Sequence, residues 1–377
     1  MRRCKNGLLL VSLAALACSG RYEVGEMDPE GGGTTSTAGS TSSAAGATIS
    51  AGGVASGGKA ATGGKAAGGG SAPTDCFSAV APAPLNAPFV APQQVWSRIL
   101  PFVWGDEEPV AVPELPSEMS YQGAGELVDE AFANAVAEAG GVPGGDFFVR
   151  RWLGLETSGA TLEGNYAGRM ARDETTLLEA LLLTSWAPNR TGVFSEQAWL
   201  AQRPSIPARG HDIALNIFGI LIPPPPPSID LSVDSTLQDR AAIEAAINSS
   251  PCMACHQLFT PLGYSLGHFD RAGEYRERDH NLPIDATGSY QVPSGGTLLN
   301  FDGIADLGAQ AAETCDANLA IVDRFLHVAL TVRGYDVDSR STAMEANRDR
   351  VRRAFIARGR SYQALVRAYA QSPLVLY

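Results

Sequence analysis

The run Cys252-Met253-Ala254-Cys255-His256 constrains this chain more than any other stretch of its sequence. Two cysteines three residues apart, followed at once by a histidine, form the attachment pattern of c-type haem. On a helix, positions i, i+3 and i+4 share one face, so two thiols can reach the two vinyl groups of one porphyrin. The pattern therefore predicts covalent haem on Cys252 and Cys255, with His256 as the proximal iron ligand.

Three other uses of these residues compete with haem. A structural zinc ion needs four ligands, and the sequence has no second cysteine pair. A thioredoxin-like dithiol belongs in a βαβ setting, which this stretch lacks. A plain Cys252–Cys255 disulfide stays open as an alternative, and haem is the favoured interpretation.

The first residues predict export. Residues 1–17 read as a signal peptide, with a basic start and an apolar run that ends at Ala17. A cleaved signal would leave Cys18 first, and the stretch before it resembles a bacterial lipobox. Cys18 is therefore predicted to carry lipid and to anchor the protein at the cell envelope, at the outer membrane. An ordinary secretory signal with an incidental cysteine is the alternative.

Residues 18–75 are dominated by Gly, Ala, Ser and Thr. Such a segment cannot bury enough apolar surface to offset its ordering entropy, so it is predicted to be a disordered tether. The net charge of −12 becomes −15 when the three cations of the signal peptide are removed, which makes nucleic acid a poor partner. No later apolar run approaches the roughly 18 residues that span a bilayer.

The remaining residues predict a mostly α fold, a helical haem-protein-like body with a minor β-hairpin. Apolar residues recur at helical spacing in stretches beginning at Val95, Leu127, Phe147, Leu177, Cys315 and Tyr362. Asp212 is predicted to cap a helix over 213–221, another helix is predicted over 236–247, and the hairpin is predicted over 284–297. The predicted domains are an N-terminal helical domain (76–222), a Pro-rich connector (223–234) and a C-terminal cytochrome c-like domain (235–377).

The run from Cys252 to Arg276 resembles the cysteine–histidine block of the planctomycete- and myxobacterium-type secreted domains of unknown function, which are regarded as cytochrome c-like. Arg209-Gly210, Pro283–Gly288 and the closing Tyr362–Pro373 match the same family, and the resemblance covers roughly residues 90–377. It implies a covalent haem c and implies no particular reaction.

Two further cysteines remain for the folded body. Cys76 and Cys315 are predicted to form a disulfide, which an exported compartment permits. Cys315 also lies on an apolar helix face, so a buried thiol is the alternative.

The sixth iron ligand has several candidates. Met344 is the first candidate, because it lies among polar residues that suit a loop over haem, and a methionine ligand would raise the reduction potential of the iron. His268, His280 and His327 are the other candidates, and a plain surface methionine is the competing interpretation of Met344.

Arg271 and Arg276 are candidates to bind the haem propionates through forked, charge-assisted hydrogen bonds. The alternative is a solvated surface shared with Glu274 and Glu277. Residues 263–267 also match the Gly-x-Ser-x-Gly pattern of hydrolases, but that elbow needs a strand-to-helix turn in an α/β sheet, so a chance match is favoured.

Together these features predict an exported, lipid-anchored c-type haem protein that transfers electrons to an unidentified redox partner protein. A haem enzyme of the peroxidase or oxidase kind is one alternative, because an open iron site would allow small-molecule chemistry. A non-catalytic surface module stapled by haem or a disulfide is the other. The sequence indicates no substrate.

Overall fold

The structure is a computed structural model. The part of the chain that it describes comprises residues 81–82, 85, 90–109, 112–156, 161–172, 174–222, 239–247, 253–332 and 342–377. Several predicted features lie outside those residues: the signal peptide with Cys18, the tether, Cys76, the Pro-rich connector and Cys252.

The described residues are mostly helical, with short antiparallel hairpins, as the sequence predicts. The α-helices are α1 Pro92–Trp104, α2 Tyr121–Ala139, α3 Gly144–Trp152, α4 Tyr166–Met170, α5 Leu177–Leu182, α6 Gln197–Gln202, α7 Ile206–Phe218, α8 Arg240–Ile247, α9 Met253–His256, α10 Thr260–Tyr264, α11 Ile304–Ala312, α12 Cys315–Thr331, α13 Thr342–Ala357 and α14 Tyr362–Ala370. The strands are β1 Ser185–Ala187, β2 Arg190–Thr191, β3 Arg278–Asp279, β4 Leu282–Pro283, β5 Thr287–Gln291 and β6 Leu298–Asp302. Val193–Ser195 and Pro373–Leu376 form 3-10 turns.

Helices from both sides of the Pro-rich segment share one hydrophobic core. The ring of Phe325 in α12 lies 4.6 Å from that of Phe102 in α1 and 5.6 Å from that of Phe148 in α3. Tyr362 in α14 stacks on Phe148 at 5.9 Å and donates hydrogen bonds to the carbonyls of Phe102 and Gly144. The described parts of residues 76–222 and 235–377, predicted as two domains, therefore form one compact unit.

Helix α7 begins earlier than the sequence analysis expects. The Ser205 hydroxyl accepts a hydrogen bond from the Ala208 N–H at 3.3 Å and caps the helix, and Pro207 follows in the first turn. Asp212, predicted to be the cap, lies inside the helix and pairs with Arg203 instead. That prediction was wrong, because the carboxylate has a cationic partner and the serine supplies the cap.

The predicted hairpin is present as strands β5 and β6, which pair in an antiparallel register with Tyr290 opposite Leu299. Both of these side chains are buried, while their neighbours along the strands are exposed, as the period of two requires. The Tyr290 ring packs against Phe218 of α7 at 5.0 Å between ring centroids. The hairpin therefore rests on the same helix that supports α10.

Two glycines allow α7 and α10 to pack backbone against backbone. A Cβ added at Gly210 would overlap the Phe259 carbonyl oxygen, and one added at Gly263 would overlap the Ile206 carbonyl oxygen. Only glycine allows so close an approach. Since α9 ends four residues before α10 begins, this contact also fixes where the segment around His256 lies.

We expect Gly263→Ala to destabilise the protein by about 1–3 kcal/mol, because the added methyl group must push α7 and α10 apart. Urea unfolding of the full chain, followed by circular dichroism, measures this loss. Gly296→Ala is the matched control, since its Cβ would meet no atom within 4 Å. Equal stability of the two variants would contradict the close packing of α7 on α10.

Candidate functional site

The imidazole of His256 lies at the end of α9 and is half-buried. Its Nδ1 is 3.1 Å from the Oγ1 atom of Thr260, one helical turn further along the chain, and Thr260 is buried. With the proton on Nδ1, the ring donates to the hydroxyl and Nε2 keeps its lone pair. A hydrogen bond from Nδ1 to a second group is also what orients the ring of a metal-binding histidine.

Burial lowers the pKa of His256 below its ordinary value of 6.5. The imidazole is therefore neutral at pH 7, which is the form that can bind a metal ion. The ring also packs against Phe259, with 4.8 Å between the ring centroids.

The surface around His256 combines a thiol with exposed apolar side chains. Cys255 is a free, exposed cysteine. Met253 is 48% exposed and Leu258 is 46% exposed, although both are apolar. An apolar group that covered this surface would gain by removing these side chains from water.

A groove of about 420 Å³ lies beside His256. Helix α8 contributes Arg240 and Glu244 to its lining, α10 contributes Thr260 and Tyr264, and the β5 strand contributes Ser289.

Arg240 is the side chain that the sequence analysis missed at this groove. Its guanidinium lies over the Tyr264 ring at 4.3 Å from the centroid and pairs with Glu244 at 2.8 Å and Asp285 at 3.0 Å. It also donates to the Thr287 carbonyl at 2.8 Å. The i,i+4 spacing to Glu244 was readable from the sequence, but the contact with Asp285, 45 residues away, depends on the tertiary fold.

The two arginines predicted to bind propionates do not line this groove. Arg276 lines a second groove of about 400 Å³ and pairs with Asp279 at 2.6 Å. Arg271 is exposed. Neither is among the described residues that line the groove beside His256.

The candidates for a sixth iron ligand are dispersed. Met344 lies in the first turn of helix α13 rather than in a loop, and packs partly buried against the main core. His268 has Nδ1 3.0 Å from the Arg276 carbonyl oxygen, the side chain of His280 is 91% exposed, and His327 lies on α12. The assignment of Met344 stays a prediction.

The fully buried guanidinium of Arg209 holds the turn that follows α10. It donates to the carbonyl oxygens of Phe269 at 2.6 Å, Leu266 at 3.3 Å and Asp270, and its Nε donates to the Arg203 carbonyl at 2.9 Å. Burial lowers the pKa of Arg209 to about 10, so the group still carries its charge at neutral pH. The sequence analysis noted Arg209 only as part of the Arg209-Gly210 match.

A second arginine supports the same turn from the other side. Arg190 donates to the carbonyl oxygens of Ser195 and Gly273, each at 2.6 Å, and lies 5.3 Å from the centroid of the Phe269 ring. Gln197 adds a hydrogen bond to Glu274 at 2.6 Å. Residues 266–274 are therefore held mainly through their backbone carbonyls.

The Gly-x-Ser-x-Gly match at residues 263–267 is not a nucleophile elbow. Ser265 is buried and donates to the Leu262 carbonyl at 2.6 Å, and the residues before it form α10 rather than a strand. A chance match, as favoured from the sequence, agrees with this geometry.

Cys315, the first residue of α12, is disulfide-bonded, and its partner lies outside the described residues. This excludes the alternative of a buried free thiol. Pairing with Cys76 stays a prediction.

The described residues lack two kinds of feature. They contain no group of three or more His, Cys, Asp or Glu side chains placed to hold a metal ion. Within the same residues, every helix is too short or too polar to cross a membrane.

Residues 190–279 match a protein family described as PSCyt3, a protein of unknown function (DUF1588), which is a planctomycete-type domain. The matched segment contains α6 to α10, Arg190, Arg209 and residues 252–256. The chain has no match among curated proteins or among solved structures.

We expect Arg209→Lys to destabilise the full chain by about 3 kcal/mol or more, because an ammonium group cannot reach all the carbonyls that the guanidinium satisfies. Urea unfolding measures the loss. Arg271→Lys, the same change at an exposed position, is expected to stay within about 0.5 kcal/mol of the parent. If both variants unfold like the parent, Arg209 does not hold the turn.

Proposed function

We propose that this chain is an exported, lipid-anchored c-type haem protein that transfers electrons at the cell envelope. The observation that carries the proposal is the state of His256: a neutral imidazole whose Nδ1 is engaged by Thr260, next to the free thiol of Cys255. With the proton on Nδ1, a neutral histidine has the lone pair on Nε2 that iron requires.

In this proposal Cys252 and Cys255 hold the cofactor by thioether bonds and His256 binds the iron through Nε2. Haem bound there would supply one-electron redox chemistry. Thr260 is the positioning residue, because its hydroxyl holds the ring through Nδ1, and it is itself 2% exposed. Met253 and Leu258 would lose their exposure to water, which favours attachment.

Arg240 is the cation that we assign to the cofactor's carboxylates, in place of Arg271 and Arg276. It lines both the groove next to His256 and the neighbouring groove, whereas Arg276 lines only the neighbouring one of the two. A guanidinium binds a carboxylate through two parallel hydrogen bonds. Arg240 forms ion pairs with Glu244 and Asp285. Haem binding would therefore replace one of these carboxylates with a propionate as the partner of Arg240.

Location at the envelope is supported by the start of the chain. The signal-like residues 1–17, the cysteine at position 18 and the Gly- and Ser-rich stretch that follows are the features of a tethered lipoprotein. As a tether, a Gly- and Ser-rich segment of this length would span on the order of 40 Å, which would let the protein reach a redox partner protein in the same compartment.

We expect the full chain, co-expressed with a cytochrome c maturation system, to give a haem-stained band on a denaturing gel. Cys252→Ala/Cys255→Ala should lose the band completely, because a non-covalent cofactor is released by denaturation. His280→Ala, which changes an exposed histidine, should keep it. A parent protein that folds but never stains would contradict the proposal and favour a non-catalytic surface module.

The disulfide of Cys315 provides a second test. If Cys252 is used for haem, Cys315 must pair elsewhere, and we expect a Cys76–Cys315 bridge in peptides mapped without reduction from the mature protein. Cys315→Ser should then free the Cys76 thiol and leave the haem stain in place. A Cys252–Cys315 bridge would instead exclude attachment through two thioether bonds.

A further inference from the structure

A third groove, formed by other elements than those around His256, lies among helices α2, α13 and α14 and the segment at Leu85. Its volume is about 230 Å³. The polar side chains that line it are Arg350, Arg358, Arg367, Tyr121, Gln122 and Gln371. Two alanines, a proline and Leu85 supply the apolar part of the lining.

The charge of this groove is opposite to that of the whole protein. Three arginines line it, and none of the described lining residues is acidic, although the chain carries a net charge of −12. A concave surface with a single sign of charge concentrates ions of the opposite sign. The groove therefore favours an anion.

Arg358 differs from the neighbouring arginines of α13 in its partners. Arg352 pairs with Asp323 at 2.7 Å, and Arg353 pairs with Asp349 at 2.8 Å. Within the described part of the chain, Arg358 is an exposed residue of the groove lining and has no carboxylate partner. A guanidinium that is accessible and lacks a counter-ion can pair with an anionic ligand.

The other donors complete the lining. Arg367 keeps Asp129 as a partner and presents the rest of its side chain to the groove. Burial raises the pKa of Tyr121, so its phenol stays protonated and can donate a hydrogen bond. The side-chain amide of Gln371 is a further donor.

We propose that this groove binds a small organic anion, whose carboxylate or phosphate group lies between Arg358 and Arg367 and whose short carbon skeleton contacts the apolar lining. Guanidinium groups match the planar geometry of carboxylate and phosphate oxygens. The volume is below that of sites for drug-sized ligands, which restricts the ligand to a few carbon atoms. This site is independent of the proposed haem function, because α8, α9 and α10 take no part in it.

Isothermal titration calorimetry of the full chain with succinate, glycerol 3-phosphate and inorganic phosphate tests the site. We expect saturable binding of at least one organic anion, weakened by added salt. Arg358→Gln should weaken that binding about tenfold or more, because a charge-assisted hydrogen bond is lost. Arg353→Gln, the same change on the outer face of α13, should change it less than about twofold.

The outcomes separate the alternatives. Tighter binding of succinate identifies a carboxylate ligand, and tighter binding of glycerol 3-phosphate identifies a phosphate ester. No saturable binding, or equal weakening in Arg353→Gln, overturns the site. If inorganic phosphate binds as tightly as both organic anions, the inference that the ligand has a carbon skeleton is overturned. If Arg358→Gln does not fold, Tyr121→Phe takes its place. None of these outcomes decides the haem-staining test, which addresses the proposed function separately.

Discussion

The buried guanidinium of Arg209 is the interaction on which the arrangement around His256 depends. A buried cation is costly unless it is fully hydrogen-bonded, and here backbone carbonyls take the place of water. The next residue, Gly210, lets α10 approach the same helix backbone to backbone. One dipeptide therefore sets both the spacing of α7 and α10 and the path of the chain after α10, and α10 carries the Thr260 that holds the imidazole.

Most of the secondary structure was predictable, because it follows from local patterns. The apolar stripes gave the helices, and the alternation in β5 and β6 gave the hairpin. The single core was not predictable, because a run of prolines looks like a boundary, and nothing local indicates that Phe325 packs on Phe102 and Phe148. The prediction of the α7 cap failed for a related reason. Ser205 and Asp212 are both residue types that cap helices, and only the tertiary contact of Asp212 with Arg203 decides between them.

The candidate site divides in the same way. His256 and Cys255 came from a motif, and Thr260 was within reach of sequence reasoning, since i and i+4 share a helix face. Arg240 was not, because the groove exists only where α8 meets residues 285–289. Arg271 and Arg276, which follow the motif in sequence, do not line the groove beside His256, and Arg276 pairs with Asp279.

The groups around His256 set the protonation state and the orientation of its ring without any bound cofactor. Burial keeps the imidazole neutral, and a buried hydroxyl on a short, tightly packed helix fixes its ring. Neither condition needs a ligand, because both follow from the packing of α10 on α7. The exposed thiol and apolar side chains beside it need a covering group to become buried. Because the His256 ring is already held in place, a group that covered these exposed side chains would bind at a lower entropic cost of ordering the protein.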